Sequence, residues 1–277
     1  MARILVTNDD GIDSIGLRHL ALAMQPHGEV VVVAPDAEQS GASAAFGPLH
    51  LIRPEVHRCT LDGVAEAYSV SGPPALCVLF ARLGVFGGPP DLVVAGINPG
   101  ANVGRSVYHS GTVGAAITAR NGGISGVAVS QEVADLGVEG QGWEELLAAQ
   151  LWPTAASVAS EVVGGLVADL PASPVVLNVN VPNLPLEEVK GWRQTEVGTI
   201  PPRALVSAHL EPKQGHDGSF RVVMEYGPPN PLPAHLDGGA VMDGYVSISW
   251  LSRMVDEHPA GSSPGGVERA LDHLLGR

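Results

Sequence analysis

Residues 4–24 constrain the fold more than any other stretch, because they read as a strand, an acidic loop and a helix in immediate succession. Ile4-Leu5-Val6 is an apolar, β-branched run of the kind that forms a buried strand. It ends in Thr7-Asn8-Asp9-Asp10-Gly11. Leu17, Leu20, Ala21 and Met24 then recur at i, i+3, i+4 and i+7, the spacing of one helix face. Asp13 or Ser14 can cap that helix. A second run, Glu29-Val30-Val31-Val32-Val33-Ala34, follows at the distance a βαβ unit requires. Parallel strands joined by helices make an open α/β sheet, whose ligands bind at the carboxyl ends of the strands. Asp9 and Asp10 stand at such an end. Adjacent carboxylates repel one another, and a site that keeps both ionised supplies a cation. Oxygen ligands favour Mg²⁺ or Mn²⁺. Asn, Asp and Gly also dominate ordinary turns, so this stretch alone leaves both readings open.

The chain has 277 residues, enough for one large α/β domain or a domain with an appendage. Its formal charge of −14 lacks the basic footprint of a nucleic-acid polymer binder. It does not exclude a small anionic substrate, because a bound metal inverts the local field. Of the two cysteines, Cys77 lies in an apolar helical run and reads as core, and no CxxC pair exists. The ten histidines show no metal-ligand spacing. No leader-like or membrane-spanning run is present, and the expectation is a soluble cytoplasmic protein without membrane partners.

Further polar loops fall at further strand ends. Ala37-Glu38-Gln39-Ser40-Gly41-Ala42-Ser43 follows the second strand, where the Ser40 hydroxyl can reach a metal or a phosphate. Residues 49–70 read as short extended pieces. Pro73-Pro74 opens a helix with Leu76, Leu79, Phe80 and Leu83 expected to face inward. Asp91-Leu92-Val93-Val94-Ala95 is another buried strand and runs into Gly96-Ile97-Asn98-Pro99-Gly100-Ala101-Asn102, where Asn98 offers a neutral carbonyl oxygen. Neither a dinucleotide fingerprint nor a P-loop occurs. Ser110-Gly111-Thr112 opens a helix of small residues, and its N–H groups and hydroxyls suit a phosphate, although Ser110 serves equally as a simple cap. Convergence favours function: four loops at strand ends carry Asp-Asp, Ser, Asn and Ser-Gly-Thr, an oxygen-rich metal site beside an anion hole.

Residues 126–130 and 175–181 read as further strands, and the helical pattern from Trp143 to about Leu170 must kink or restart at Pro153. The expected organisation is a catalytic core over 1–182, a proline-rich oligomerisation arm over 183–240, and a strand and helix over 241–277 that return to the core. The arm lacks the makings of a self-sufficient core and is expected to pack on another subunit.

These residues carry a family likeness. The chain resembles the SurE family, the survival-protein-E 5′/3′-nucleotidases. The matching pieces are Ile4 to Gly11, Ala34-Pro35-Asp36 with Gln39 to Ser43, Gly96-Ile97-Asn98 with Gly100 and Asn102, Ser110-Gly111-Thr112-Val113, Leu177 to Pro182, and Asp243 to Ile248. The resemblance implies a three-layer α/β/α, Rossmann-like fold with a mostly parallel sheet and an extended C-terminal hairpin arm exchanged in a homodimer or homotetramer. It implies a phosphatase acting on nucleoside monophosphates, with one Mg²⁺ or Mn²⁺ held by Asp9, Asp10, Ser40 and Asn98. Asn8, Asn102, Ser110, Gly111 and Thr112 would lie near the phosphate, and Asp9, Asp10 and Asn8 would serve catalysis. Several positions depart from the family: Ser106 stands in place of Asp, His109 in place of Tyr and Thr118 near a usual Glu. Pro73-Pro74-Ala75-Leu76-Cys77 replaces Thr-Pro-Ala-Asp-Cys, and Ala37-Glu38-Gln39 replaces a basic residue before Ser40. Ser106 and His109 are still expected at the substrate. The alternatives are hydrolysis of other small phosphoesters or short polyphosphate, and a weakly catalytic nucleotide-binding protein.

Overall fold

The computed structural model describes residues 1–133, 143–252 and 265–275. The chain runs β1 (Ala2–Thr7), α1 (Ile15–Met24), β2 (Gly28–Pro35), β3 (Val56–Leu61), β4 (Val64–Val70), α2 (Pro74–Arg82), β5 (Leu92–Pro99), α3 (Gly111–Asn121), β6 (Ser125–Gln131), α4 (Trp143–Ala148), α5 (Trp152–Ala168), β7 (Val176–Val181), β8 (Trp192–Gln194), β9 (Arg203–Pro212), β10 (Phe220–Pro229), α6 (Asp237–Met242), β11 (Val246–Trp250) and α7 (Gly265–Leu275). A nine-stranded sheet has the order β3-β4-β2-β1-β5-β6-β7-β11-β8. Strands β4 through β7 in that order are parallel, while β3 and β11 pair antiparallel with their inner neighbours. The fold is therefore α/β with a mostly parallel central sheet and a separate antiparallel hairpin, β9–β10.

Alternation along β1 assigns the two faces. Ile4 and Val6 join the core packed by Leu17, Leu20 and Met24 of α1 and by Ala155, Ala159 and Val163 of α5. Leu5 points the other way, into the core of Leu76, Cys77 and Ala81 from α2 and Ala115 and Ala119 from α3. The sheet is buried on both sides, which explains why its strands are apolar runs without polar alternation.

After β4 and α2 the chain crosses back to place β5 on the far side of β1. The order thus reverses between β1 and β5, which opens a crevice at their carboxyl ends. Gly16, at the start of α1, packs against that crevice so closely that a Cβ there would lie 2.2 Å from the Ile97 carbonyl oxygen.

Several local expectations change. Ser14, not Asp13, caps α1, accepting from Leu17 N. Leu83 does not face inward but is 65% exposed, because α2 stops at Arg82 and Leu83 only follows it. The long helical pattern breaks before Pro153, which sits in the first turn of α5, where its missing N–H costs nothing. Within the expected arm over 183–240, β8 pairs with β11 in the main sheet and Glu196 bridges to Leu236, while β9 and β10 form a separate two-stranded sheet over 203–229. Within 241–277, residues 253–264 and 276–277 lie outside the described ones. No helix among the described residues is long and apolar enough to cross a membrane.

Candidate active site

The crevice is built from three loops, after β1, after β2 and between β5 and α3, that hydrogen-bond in series. Ile12 N donates to Pro35 O at 2.9 Å and Gln39 N to Asp9 O at 2.7 Å, which lashes the loop after β2 to the loop after β1. Ser43 N donates to His109 O at 3.2 Å and Ser43 Oγ to Tyr108 O at 3.0 Å, which lashes it in turn to the segment before α3.

Asp9 turns toward α3. Its Oδ1 accepts from the Thr112 hydroxyl at 2.5 Å, and both side chains are buried, Asp9 3% exposed and Thr112 0%. Gly111 makes this approach possible, since a Cβ there would lie 2.7 Å from Asp9 Oδ2. The carboxylate thus sits at the N-terminal end of a helix, where the dipole and the first-turn N–H groups favour negative charge. Burial raises the pKa of Asp9, while the hydrogen bonds from Thr112 pull it back down.

Asp10 lines a cavity of about 360 Å³ together with Ile15, Ile97 and Trp152. Its pKa is pushed up to about 8, by burial first, then by the charges of Asp9 and Glu38. Asp10 Oδ2 is buried and has no hydrogen-bond partner. Asn8 Nδ2 donates to Gly11 O at 3.0 Å and to Ser14 Oγ at 2.7 Å, fixing the loop and the cap of α1 together. Its Oδ1 is buried without a partner. Asn98 Nδ2 donates to Gly100 O at 2.6 Å, which leaves its carbonyl oxygen for another task. Among the described residues no group of three or more His, Cys, Asp or Glu side chains is placed to hold a metal. A cation here would be bound by the two carboxylates together with neutral oxygens. Unsatisfied buried oxygens beside two repelling carboxylates fit a hard divalent ion.

The expected phosphate residues divide. Ser110 Oγ accepts from Val113 N at 3.1 Å as the cap of α3, and the Thr112 hydroxyl is committed to Asp9. These side chains therefore shape the helix end, and what the helix end offers an anion is its first-turn backbone at Gly111. Ser106 Oγ donates to Val103 O at 2.7 Å, while Ser106 and His109 are solvent-exposed. Ser40 is exposed and donates its N–H to Glu38 Oε1 at 2.7 Å. Thr118 Oγ1 donates to Gly114 O at 2.7 Å, inside its own helix.

Asn102 is the centre of a buried network that sequence patterning did not assign. Its N–H donates to Asn180 Oδ1 at 2.7 Å, and its carbonyl accepts from Asn178 Nδ2 at 2.8 Å and from Asn180 Nδ2 at 3.2 Å. Its own Nδ2 donates to Ser130 Oγ at 2.9 Å. Strands β6 and β7 thereby fix the loop that follows Asn98 at the end of β5. Asp237 was missed as well: it is buried, and it accepts from Gly104 N at 2.8 Å and Gly198 N at 3.0 Å, tying the base of the hairpin to this loop. Asn178 and Asn180 signalled themselves as polar residues in an apolar strand; Asp237 gave no such signal. A cavity of about 1040 Å³ between α1, α5 and β11 is lined by none of the expected site residues.

The family described as Survival protein SurE matches residues 4–201. A 5'-nucleotidase SurE of Aeromonas hydrophila is 38% identical over 277 residues, covering 98% of both chains. Another, from Stenotrophomonas maltophilia, is 36% identical over 278 residues, with 98% of each covered. The crystal structure of the SurE protein from Aquifex aeolicus superposes with a TM-score of 0.73 at 28% identity, covering 99% of each chain. The family match runs from β1 through the loops that carry Asp9, Asp10, Ser40, Asn98 and Ser110, and on this evidence the chain belongs to the SurE family.

Proposed function

We propose that the chain is a divalent-metal-dependent phosphomonoesterase that hydrolyses nucleoside 5′- or 3′-monophosphates to nucleoside and phosphate. The observation that carries this reading is Asp10: a half-buried carboxylate with one buried, unpartnered oxygen, set beside the buried carboxylate of Asp9 at the switch point of the sheet. The curated relatives are named 5'-nucleotidases, which supports the substrate class. Asp9, Asp10, Asn98 and Ser40 would hold Mg²⁺ or Mn²⁺. Such an ion polarises a phosphoryl oxygen and lowers the pKa of bound water. Thr112 and the helix end keep Asp9 oriented, Asn8 keeps the loop closed on Ser14, and the first-turn N–H groups of α3 offset charge that grows on the phosphoryl group.

The same proposal includes self-association through the hairpin. The β9–β10 register sets Leu210 opposite Val222, Ala208 opposite Met224 and Pro212 opposite Phe220 on one face. Leu210, Phe220, Val222 and Met224 are exposed. A lone two-stranded ribbon is marginal in water, and a second copy laid on this face would cover it.

The deciding experiment is steady-state hydrolysis of a phosphomonoester panel with Mg²⁺, Mn²⁺ or EDTA. Metal-dependent release of phosphate from AMP, stopped by EDTA, is the expected result. Binding of AMP without turnover under either metal would replace this reading with a nucleotide-binding protein.

A further inference from the structure

The stretch over 37–54, between β2 and β3, carries Ser40 and has little to hold it. Ser40, Gly41, Ala44 and Ala45 are exposed. Three hydrogen bonds tie this stretch to the rest of the described chain. Gln39 N donates one, to Asp9 O. Ser43 donates the other two, from its N–H to His109 O at 3.2 Å and from its hydroxyl to Tyr108 O at 3.0 Å.

Among the described residues Ser43 is the one non-glycine with a positive φ, +52°. That left-handed region disfavours a side chain, so a residue stays there only where its surroundings hold it. Besides the two hydrogen bonds, the Ser43 carbonyl lies against Gly114, near the start of α3. A Cβ on Gly114 would stand 2.2 Å from Ser43 O and 2.3 Å from Ser43 C. The same end of α3 holds Asp9, through the Thr112 hydroxyl and the close approach at Gly111. One helix end is therefore the common reference for two of the residues proposed to hold the ion. Asp9 meets it directly, and Ser40 meets it through Ser43, three positions further on. Where ligands come from separate loops, a loop left free must be ordered by the ion itself, at the expense of affinity.

We infer that Ser43 is a positioning residue: seated against Gly114, it locks the Ser40 loop to the start of α3 and so keeps Ser40 within reach of the ion that Asp9 and Asp10 bind. The inference rests on the metal-binding part of the reading above. Neither Ser43 nor Gly114 is a ligand; both act through Ser40.

The test measures Mn²⁺ binding by calorimetry, beside steady-state hydrolysis of AMP, for the full chain, Ser43→Ala, Gly114→Ala and the double variant. Ser43→Ala removes the bond to Tyr108 O and keeps the unfavourable backbone. Gly114→Ala drives a Cβ into the Ser43 carbonyl, while alanine suits the helix better than glycine, so the exposed loop gives way rather than α3. Each single variant should weaken Mn²⁺ binding by about tenfold, the lower end of what losing an orienting contact costs a metal site. The half-saturating Mn²⁺ concentration for hydrolysis should rise in step, while kcat at saturating Mn²⁺ holds, because the bound ion restores the loop. A role in stability alone would lower the metal-free melting temperature and move neither Mn²⁺ value. The double variant should bind no worse than the weaker single one, because both changes open the same latch. Mn²⁺ affinity unmoved in either single variant, or single effects that multiply in the double, overturns the inference and leaves the phosphatase reading standing. The expected binding pattern without turnover of AMP overturns the phosphatase reading and leaves the latch. A full chain that binds neither Mn²⁺ nor Mg²⁺ overturns both.

Discussion

Replacing Asn180 by alanine should injure the site more than the same change at Asn178, although the two stand on one strand and bond to the same residue. Asn180 gives Asn102 two hydrogen bonds, one to its N–H at 2.7 Å and one to its carbonyl at 3.2 Å. Asn178 gives one, to the carbonyl, at 2.8 Å. Without Asn180 the buried Asn102 N–H loses its acceptor, while the carbonyl keeps Asn178. An orphaned buried donor costs about 1–3 kcal/mol, and the void left by the truncated amide adds roughly 1 kcal/mol. The sum for Asn180→Ala is about 2–4 kcal/mol. Without Asn178 no group of Asn102 is orphaned, and the change also removes Asn178 Oδ1, which is already buried and unpartnered in the native protein. Asn178→Ala loses one hydrogen bond and leaves a similar void, partly offset by removal of that oxygen, and should cost only about 1–2 kcal/mol. Denaturant unfolding of both variants measures these values. Because Asn102 lies on the loop that follows Asn98 at the end of β5, the Asn180 variant should also lose roughly ten- to a hundredfold in kcat/KM. Equal destabilisation by the two substitutions, or an Asn180→Ala loss within about 0.5 kcal/mol of zero, would refute the reasoning.

Asp10→Asn should keep the fold and lower metal-dependent hydrolysis by about a hundredfold or more; full Mg²⁺-dependent activity in that variant would remove Asp10 from the metal site. Burial and neighbouring charge raise Asp10 from 3.8 to about 8, so the metal-free fold binds that proton more tightly than the unfolded chain does. Its stability should be complete at pH below the ordinary carboxylate value and should fall as pH rises through the window up to about 8. The rise in Tm on adding Mn²⁺ should accordingly grow from about pH 5 to about pH 8, and a Tm shift that is flat with pH would contradict this. Leu210→Lys combined with Val222→Lys places two charges on the apolar face of the hairpin and should shift light scattering toward monomer, since those side chains are exposed in the single chain; an unchanged mass would place the contact elsewhere. Ser106→Asp and His109→Tyr should each change the rate of AMP hydrolysis by no more than about tenfold, because neither side chain bonds to Asp9, Asp10 or Asn98 among the described residues; loss of all activity in either would put it at the reacting atoms.

Much of the site was legible because local chemistry announces it. An apolar run ending in Asn8-Asp9-Asp10-Gly11 must place its carboxylates at a strand end, and a small-residue helix behind Ser110 must present its N-terminus. What those groups do there was less legible. Thr112 reads as a phosphate ligand in sequence, yet its hydroxyl is held by Asp9, 103 positions away. Ser110 reads either as ligand or as cap, and the bond from Val113 N shows the cap. Asn178 and Asn180 read only as polar interruptions of β7, because their partner, Asn102, lies on another loop.

The sequence by itself determined the α/β class, the parallel strands and the oxygen-rich loops at their ends, since hydrophobic period and turn chemistry are local properties. The tertiary structure decided which way each loop faces. Packing of the loops sets Asp9 against Thr112 of α3 and places Asp10 in the lining of the cavity with Glu38 and Trp152. It also makes a carboxylate pair into a candidate metal centre, because only packing from both faces removes the water that would otherwise keep their pKa values ordinary. No one-dimensional pattern records which groups share a desolvated space.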